Sequence, residues 1–224
     1  SQIPGLYAIP QGHCALVETH GKYTHTLLPG LNIINPLTTN LKSLKEWTWT
    51  FPKDIGSEEK CGPVSVKEEW TCAKPGNLME LTEQQWLTNF CTTYTKDRIE
   101  IQAKASLNFR ITDPYKAAYS IDVLPRSIHN EAHAALRSEM SKIEFGPYFF
   151  SNKARFFEKQ EALNCGLKNN LQQRVQNWGV EILRAEVGPF VYCKSDVRAL
   201  QERRFSNIFS LVIAAPIIAF AILG

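Results

Sequence analysis

The stretch "TKDRIEIQAKASLNFRITDPYKAAYSI", Thr95 to Ile121, decides the fold, because it contains a strand and a helix start in immediate succession. Apolar and polar residues alternate through its first half, which is the period of a half-buried β-strand. The apolar side is Ile99, Ile101, Ala103, Ala105 and Leu107, and the polar side is Arg98, Glu100, Gln102, Lys104 and Ser106. Thr112 or Asp113 then supplies an N-cap and Pro114 the first helical position, which predicts a helix start.

The residues before this stretch predict an antiparallel β meander. "CALVETH" from Cys14 favours a strand, "HGK" supplies a Gly-centred turn, and Pro29-Gly30 suits the centre of a type II turn. A second strand follows from Leu31 to Ile34, and "LKSLKEWTWTF" alternates again. Pro52 to Leu81 is rich in Gly, Pro, Lys and Glu, which predicts an inserted loop or a long hairpin.

Helical spacing follows the central stretch. It runs through Ile128, Ala132, Ala135, Leu136, Met140 and Ile143. A long helix, capped by Asn152 and ended by Gly179, has an apolar stripe of Phe156, Leu163, Leu167, Leu171, Val175 and Trp178. One more strand is predicted from Val180 to Val187, closed by Gly188-Pro189. Strands, then helices, then a strand indicate an α+β fold.

The composition is that of a globular protein with no strong charge. The chain has 224 residues and a formal charge of +3, and no basic run is interleaved with aromatic residues. This balance argues against nucleic-acid binding. The six cysteines form no C-x-x-C pair, so reduced thiols are the default expectation. Cys61 and Cys72 flank part of the insertion, and a disulfide between them stays an open alternative.

Two histidines deserve a test as metal ligands. His129 and His133 lie at positions i and i+4 of a predicted helix, a spacing that can hold one metal ion. The zinc-peptidase motifs need a Glu directly beside one histidine, whereas Glu131 lies between them and points to another face. We therefore expect two helix-surface or interface histidines and no metal. Without a G-x-S-x-G or a Gly-rich phosphate loop, the sequence predicts no catalytic residue, no cofactor and no enzyme.

The C-terminal end, Phe205 to Gly224, has no charged side chain. Its length matches the roughly 20 residues that cross about 30 Å of hydrocarbon at 1.5 Å per residue, which predicts a membrane segment. Arg203 and Arg204 precede it, and positive residues favour the cytoplasmic or equivalent side. The residues expected to enter the bilayer are Phe205, Ile208, Phe209, Leu211, Val212, Ile213, Pro216, Ile217, Ile218, Phe220, Ile222 and Leu223. The alternative is a buried assembly helix, because the purely apolar run extends only from Leu211 to Leu223.

The order of these pieces resembles the SPFH domain family, which includes stomatin, prohibitin, flotillin and erlin and is also called Band 7 or PHB. Four stretches carry the resemblance: "GKYTHTLLPGLNIINPL", the central stretch, "AALRSEMSK", and "LQQRVQNWGVEILRAEVGPF". The resemblance implies an SPFH-like domain over residues 10–193 with an insertion at about 52–81. A short charged helical linker, 194–204, and the membrane-type helix, 205–224, complete the predicted organisation. Family members usually place the anchor before the domain and a long coiled coil after it, whereas here an anchor-like segment is predicted after the domain, preceded by a charged helix of about ten residues.

The resemblance and the tail together predict a non-enzymatic, oligomeric scaffold at a membrane. The expected partners are membrane lipids, copies of this chain or related SPFH chains, and unidentified client membrane proteins. The alternative is a dedicated structural subunit of a large membrane-bound or viral assembly, with the tail buried against neighbouring subunits.

Overall fold

The computed structural model describes residues 5–44, 49–50, 71–72, 76–144, 153–192 and 202. The predicted membrane segment, Asn152, Cys61 and most of the predicted linker helix lie outside these residues. Within the linker, residue 202 is helical. The predicted domain boundaries and the membrane segment therefore stay predictions.

The first half of the chain consists of strands. They are β1 (Leu6–Ile9), β2 (His13–Thr19), β3 (Lys22–Leu27), β4 (Gly30–Ile33), β5 (Thr39–Leu41), β6 (Trp49–Thr50), β7 (Thr71–Cys72) and β8 (Met79–Glu80). β2 and β3 form a hairpin with a two-residue turn, in which His20 and Gly21 both have positive φ, 51° and 78°. Positive φ at both central residues is the requirement of a type I′ turn. β6 and β7 pair with each other, so residues just before the predicted insertion lie beside residues 71–72 within it.

The predicted meander is wrong after this hairpin, although all observed pairs are antiparallel. β4 pairs with β1 instead of β3. β2 pairs with β3 along one edge, with β5 along the other and with β8 near its start. The pairing of β4 with β1 places Ile9 and Ile34 in one buried cluster with Val17 and Leu27. β1 and β4 thus form a separate two-stranded ribbon.

A second sheet contains β9 (Gln84–Leu87), β10 (Cys91–Tyr94), β11 (Glu100–Ile111) and β12 (Val180–Tyr192). β11 is the predicted central strand, and it is less exposed than expected. Gln102 and Lys104, on its predicted polar side, are each only 8% exposed. The Lys104 Nζ lies 4.2 Å from the Phe90 ring centroid, so an aromatic side chain covers this end of the polar side.

The prediction that the last strand closes at Gly188-Pro189 is also wrong. β12 continues to Tyr192, since Ala103 pairs with Phe190 and Ala105 with Val187. Gly188 and Pro189 therefore lie opposite Lys104 alone, as in a β-bulge. A bulge accommodates Gly and Pro within a strand because one residue there leaves the hydrogen-bonding ladder.

The helices are α1 (Pro114–Tyr119), α2 (Leu124–Met140) and α3 (Lys153–Val175), and α3 continues into a 3₁₀ turn, Gln176–Trp178. The predicted start of α1 is confirmed, because Asp113 Oδ1 accepts from the Lys116 backbone N–H at 3.2 Å. Gly179 follows the 3₁₀ turn with φ 68°, in the left-handed conformation expected of a C-terminal glycine.

One main core lies between the helices and the second sheet. The predicted α3 stripe is confirmed where side chains are described, and its buried members are Leu163, Leu167, Leu171 and Val175. Cys14 and Leu16 of β2 join this core, while Ala15 and Val17 on the other side of β2 belong to a second, smaller cluster. β2 is therefore covered on both faces.

Candidate functional site

The largest exposed aliphatic side chains of the first strands lie on one face of the β1–β4 ribbon. Leu31 is 71% exposed and Ile33 is 81% exposed. In the antiparallel register, Leu31 pairs with Ala8 and Ile33 with Leu6, and directly paired residues share a face of a sheet. We call the surface formed by Leu6, Ala8, Leu31 and Ile33 the apolar ribbon face.

The opposite face of the ribbon fastens it to the protein. Ile9 is buried, and Tyr7 packs against the same small cluster that contains Val17, Leu27 and Ile34. The Ile34 backbone N–H also donates to the Gly5 carbonyl at 2.8 Å. Because Tyr7 and Ile9 form the face that packs on this cluster, Leu31 and Ile33 lie on the face that points away from it.

Two further exposed leucines flank the ribbon. Leu28 is 66% exposed and Leu37 is 92% exposed. Side-chain hydrogen bonds order the backbone at both places, since Asn32 Nδ2 donates to the Leu28 carbonyl at 2.9 Å. Asn35 Oδ1 accepts from the Leu37 backbone N–H at 3.0 Å. The leucines are therefore presented by hydrogen-bonded turns.

The sequence around the apolar ribbon face carries almost no charge. Only Glu18 and Lys22 are charged among the first 41 residues. Glu18 Oε1 lies 3.2 Å from the Lys42 Nζ and accepts from the Tyr119 hydroxyl at 2.7 Å. Burial, and then this hydrogen bond, raise the pKa of Tyr119. An exposed, uncharged aliphatic surface of this kind is typical of contacts with a membrane or another protein.

The two predicted metal candidates lie elsewhere, on α2. The His129 and His133 ring centroids are 4.2 Å apart, and His129 is only 5% exposed. Glu131 points to α3, where its Oε2 accepts from Arg174 Nη1 at 2.8 Å. In the described part of the chain, no three His, Cys, Asp or Glu side chains are placed to share a metal ion.

The cysteines with described side chains are free thiols. Cys14 and Cys91 are buried and Cys165 is exposed. Burial raises the pKa of Cys14 to about 11, so this thiol stays protonated and unreactive at neutral pH. Cys61 lies outside the described residues, and the Cys61–Cys72 disulfide stays an open alternative.

Sequence reasoning placed membrane insertion in the tail and missed the apolar ribbon face. The residues predicted to enter the membrane, from Phe205 to Leu223, and the flanking Arg203 and Arg204 lie outside the described residues. Among the helices that are described, none is long and apolar enough to cross a membrane. The available signal was the uncharged run from Tyr23 to Leu41, in which Leu31 and Ile33 alternate and two further leucines flank them.

Comparison with known proteins agrees with this architecture. The profile of the family described as "SPFH domain / Band 7 family" matches residues 7–208. The human protein "Stomatin-like protein 2, mitochondrial" is 25% identical over 179 residues, which cover 80% of this chain and 38% of the relative. "Stomatin-like protein stl-1" of Caenorhabditis elegans is 24% identical over 179 residues, covering 80% of this chain and 42% of the relative. The chain thus spans about two fifths of the length of the curated relatives it matches.

Proposed function

The chain belongs to the SPFH domain / Band 7 family, and we propose that it is a non-enzymatic scaffold that binds a membrane and assembles with copies of itself or related chains. The observation that carries this proposal is the apolar ribbon face, an uncharged aliphatic surface on a hydrogen-bonded ribbon. The clients of this scaffold are other membrane proteins, which it encloses or groups in a patch of bilayer.

Lipid is the occupant that this surface fits best. Removing a Leu or Ile side chain from water is worth about 1.5–3 kcal/mol. Leu31 and Ile33 are more than two-thirds exposed, so most of that free energy is still available for binding. The absence of charge from β1 and β4 matters, because every charged group carried into the bilayer would offset this gain.

The second membrane contact in this proposal is the tail, Phe205 to Gly224. Its composition favours insertion, and Arg203 and Arg204 favour a domain held on the cytoplasmic or equivalent side. Two weak or moderate contacts on one chain bind a membrane more tightly than either alone, since the second binding event becomes intramolecular.

The tail is tested by Ala214→Arg, with Ala214→Leu as its matched control. An Arg at the centre of an inserted helix costs about 2.5–3.5 kcal/mol on insertion scales, whereas Leu favours insertion. We expect Ala214→Arg to lose retention in membranes after alkaline carbonate washing, and Ala214→Leu to be retained like the unmodified chain. Equal release of all three proteins would mean that the tail packs inside an assembly instead of entering lipid.

Assembly is tested by measuring the native mass of the full chain after extraction in mild detergent. The scaffold proposal predicts a complex of many copies, alone or with related SPFH chains, well above the 25.4 kDa of one chain. A monomer at micromolar concentration would contradict it. A fixed ratio to unrelated proteins would support the alternative of a dedicated subunit in one large assembly.

A further inference from the structure

β12 is an outer strand of the second sheet. One of its edges pairs with β11, from Val180 opposite Ile111 to Tyr192 opposite Ile101. Among the described strands, none pairs with its other edge, which we call the outer edge of β12. The unpaired edge of a long strand presents a row of backbone N–H and C=O groups, and a strand of another chain can add to them.

Side-chain amides of α3 bind the backbone of this outer edge at two places. At the first, Gln172 Nε2 donates to the Val180 carbonyl at 3.2 Å, and Gln172 Oε1 accepts from the Ile182 backbone N–H at 2.7 Å. A primary amide has both a donor and an acceptor. This one side chain therefore makes the two kinds of bond that the backbone of a neighbouring strand would make.

The second place is Val187, further along β12. The Val187 backbone N–H donates to Asn164 Oδ1 at 2.8 Å, and the Val187 carbonyl accepts from Gln160 Nε2 at 3.4 Å. Both polar backbone groups of Val187 are thus bonded to α3, although this residue lies within a strand. We call Gln160, Asn164 and Gln172 the amide stripe of α3.

The positions of these amides in the sequence explain why they reach the edge of the sheet. They are separated by four and by eight residues, multiples of the spacing that keeps side chains on one side of a helix. Asn164 directly follows the buried Leu163, and Gln172 directly follows the buried Leu171. Because the leucine stripe is held in the core, the amide stripe beside it lies at the rim of the sheet.

We infer that the amide stripe closes the outer edge of β12 to strand addition, so that copies of this chain do not join by extending the second sheet. The inference rests on the proposed function, since it states which surface the assembling copies leave unused. The four hydrogen bonds between the amide stripe and the backbone of β12 carry it. A helix laid over a sheet edge removes the template to which another strand would pair.

The test compares the full chain in mild detergent with its double variant Asn164→Leu and Gln172→Met. Leu and Met favour helix, and neither side chain can replace the lost amide bonds. At low protein concentration we expect amide hydrogen exchange at Ile182 and Val187 to be at least about 5-fold faster, the ratio that corresponds to one lost hydrogen bond of about 1 kcal/mol. At higher concentration we expect new assemblies that bind thioflavin T, a dye for stacked β-strands.

The matched control is the double variant Asn169→Leu and Gln173→Met. Both side chains are exposed on α3, and Asn169 donates to the Cys165 sulfur on the same helix instead of to β12. The control therefore adds the same two apolar side chains to the same helix and keeps the amide stripe. Exchange at Ile182 and Val187 should be unchanged in this variant, and it should form no assemblies that bind thioflavin T.

Three results would overturn the inference: equal assembly of the control and the test variant, unprotected Ile182 and Val187 amides in the unmodified chain, or faster exchange in the test variant without new assemblies. If the test variant does not fold, Asn164→Leu alone is compared with Asn164→Asp, whose carboxylate still accepts from the Val187 N–H. Exchange at Val187 should then be faster in the Leu variant only, and equal exchange in both would contradict the inference. Failure of the proposed self-assembly would be seen separately, as a monomeric unmodified chain in the native mass measurement.

Discussion

Replacing Leu31 and Ile33 together by Glu is expected to weaken binding to lipid by at least about 100-fold. Each side chain contributes about 1.5–3 kcal/mol when it leaves water, so losing both costs about 3 kcal/mol before the added charge is counted. Both side chains are exposed in the free protein, so the fold itself should be little affected. The measurement is co-sedimentation with phosphatidylcholine vesicles, which carry no net charge and so do not repel the new carboxylates.

This experiment uses the chain ending at Arg204, so that the tail does not mask the contribution of the ribbon. Its matched control is the double replacement Gln85→Glu and Thr92→Glu, which adds the same charge at exposed positions of β9 and β10. The control should bind like the parent chain, and thermal unfolding should show that all three proteins are folded. If the ribbon variant binds vesicles as well as the control, the apolar ribbon face does not contact lipid.

The second large effect is expected at Gly179, where Ala should destabilise the domain by about 3–5 kcal/mol. A left-handed residue other than Gly costs about 1–2 kcal/mol. A Cβ here would also lie 2.5 Å from the Asp113 carbonyl oxygen and 2.8 Å from its Cβ. The Gly179 carbonyl accepts from the Thr112 and Asp113 backbone N–H groups at 2.9 and 3.1 Å, so a shift that relieves the clash breaks these bonds.

Gly21→Ala provides the matched control for this prediction. Gly21 also has positive φ, 78°, but no atom lies within 4 Å of the position its Cβ would take. It should therefore show only the conformational cost of about 1–2 kcal/mol. The free energy of unfolding of both variants, measured by chemical denaturation, separates the cost of the left-handed conformation from the cost of the steric clash at Gly179. Equal losses at the two glycines would show that the junction between Gly179 and Asp113 moves apart without cost.

Signals that act within one turn of the chain were predicted correctly. Asp113 and Pro114 begin α1 as expected, because an N-cap side chain and a preset φ need no distant partner. Gly179 follows the long helix for the same reason. The apolar stripe of α3 was also recovered, since a period near 3.6 marks the buried side of a helix whatever it packs against.

Features that depend on residues far away in the sequence were not predicted correctly. The pairing of β4 with β1 places Ile9 and Ile34 in one buried cluster with Val17, a contact that the alternation within either strand does not show. The continuation of β12 through Gly188-Pro189 depends on a bulge opposite Lys104. The covering of Lys104 depends on Phe90, which lies in the connection between β9 and β10.

The candidate site shows the same division most clearly. The sequence by itself determined the α+β class, the start of α1, the glycine that follows the long helix, and the presence of Leu31 and Ile33 on one side of a short strand. Only the tertiary structure decided that this side faces water. Alternation of apolar and polar residues shows that a strand has an apolar side. Whether that side is buried or exposed depends on which strand it pairs with. Here β4 pairs with β1, the opposite side of the ribbon packs on the small cluster, and the apolar ribbon face is left exposed.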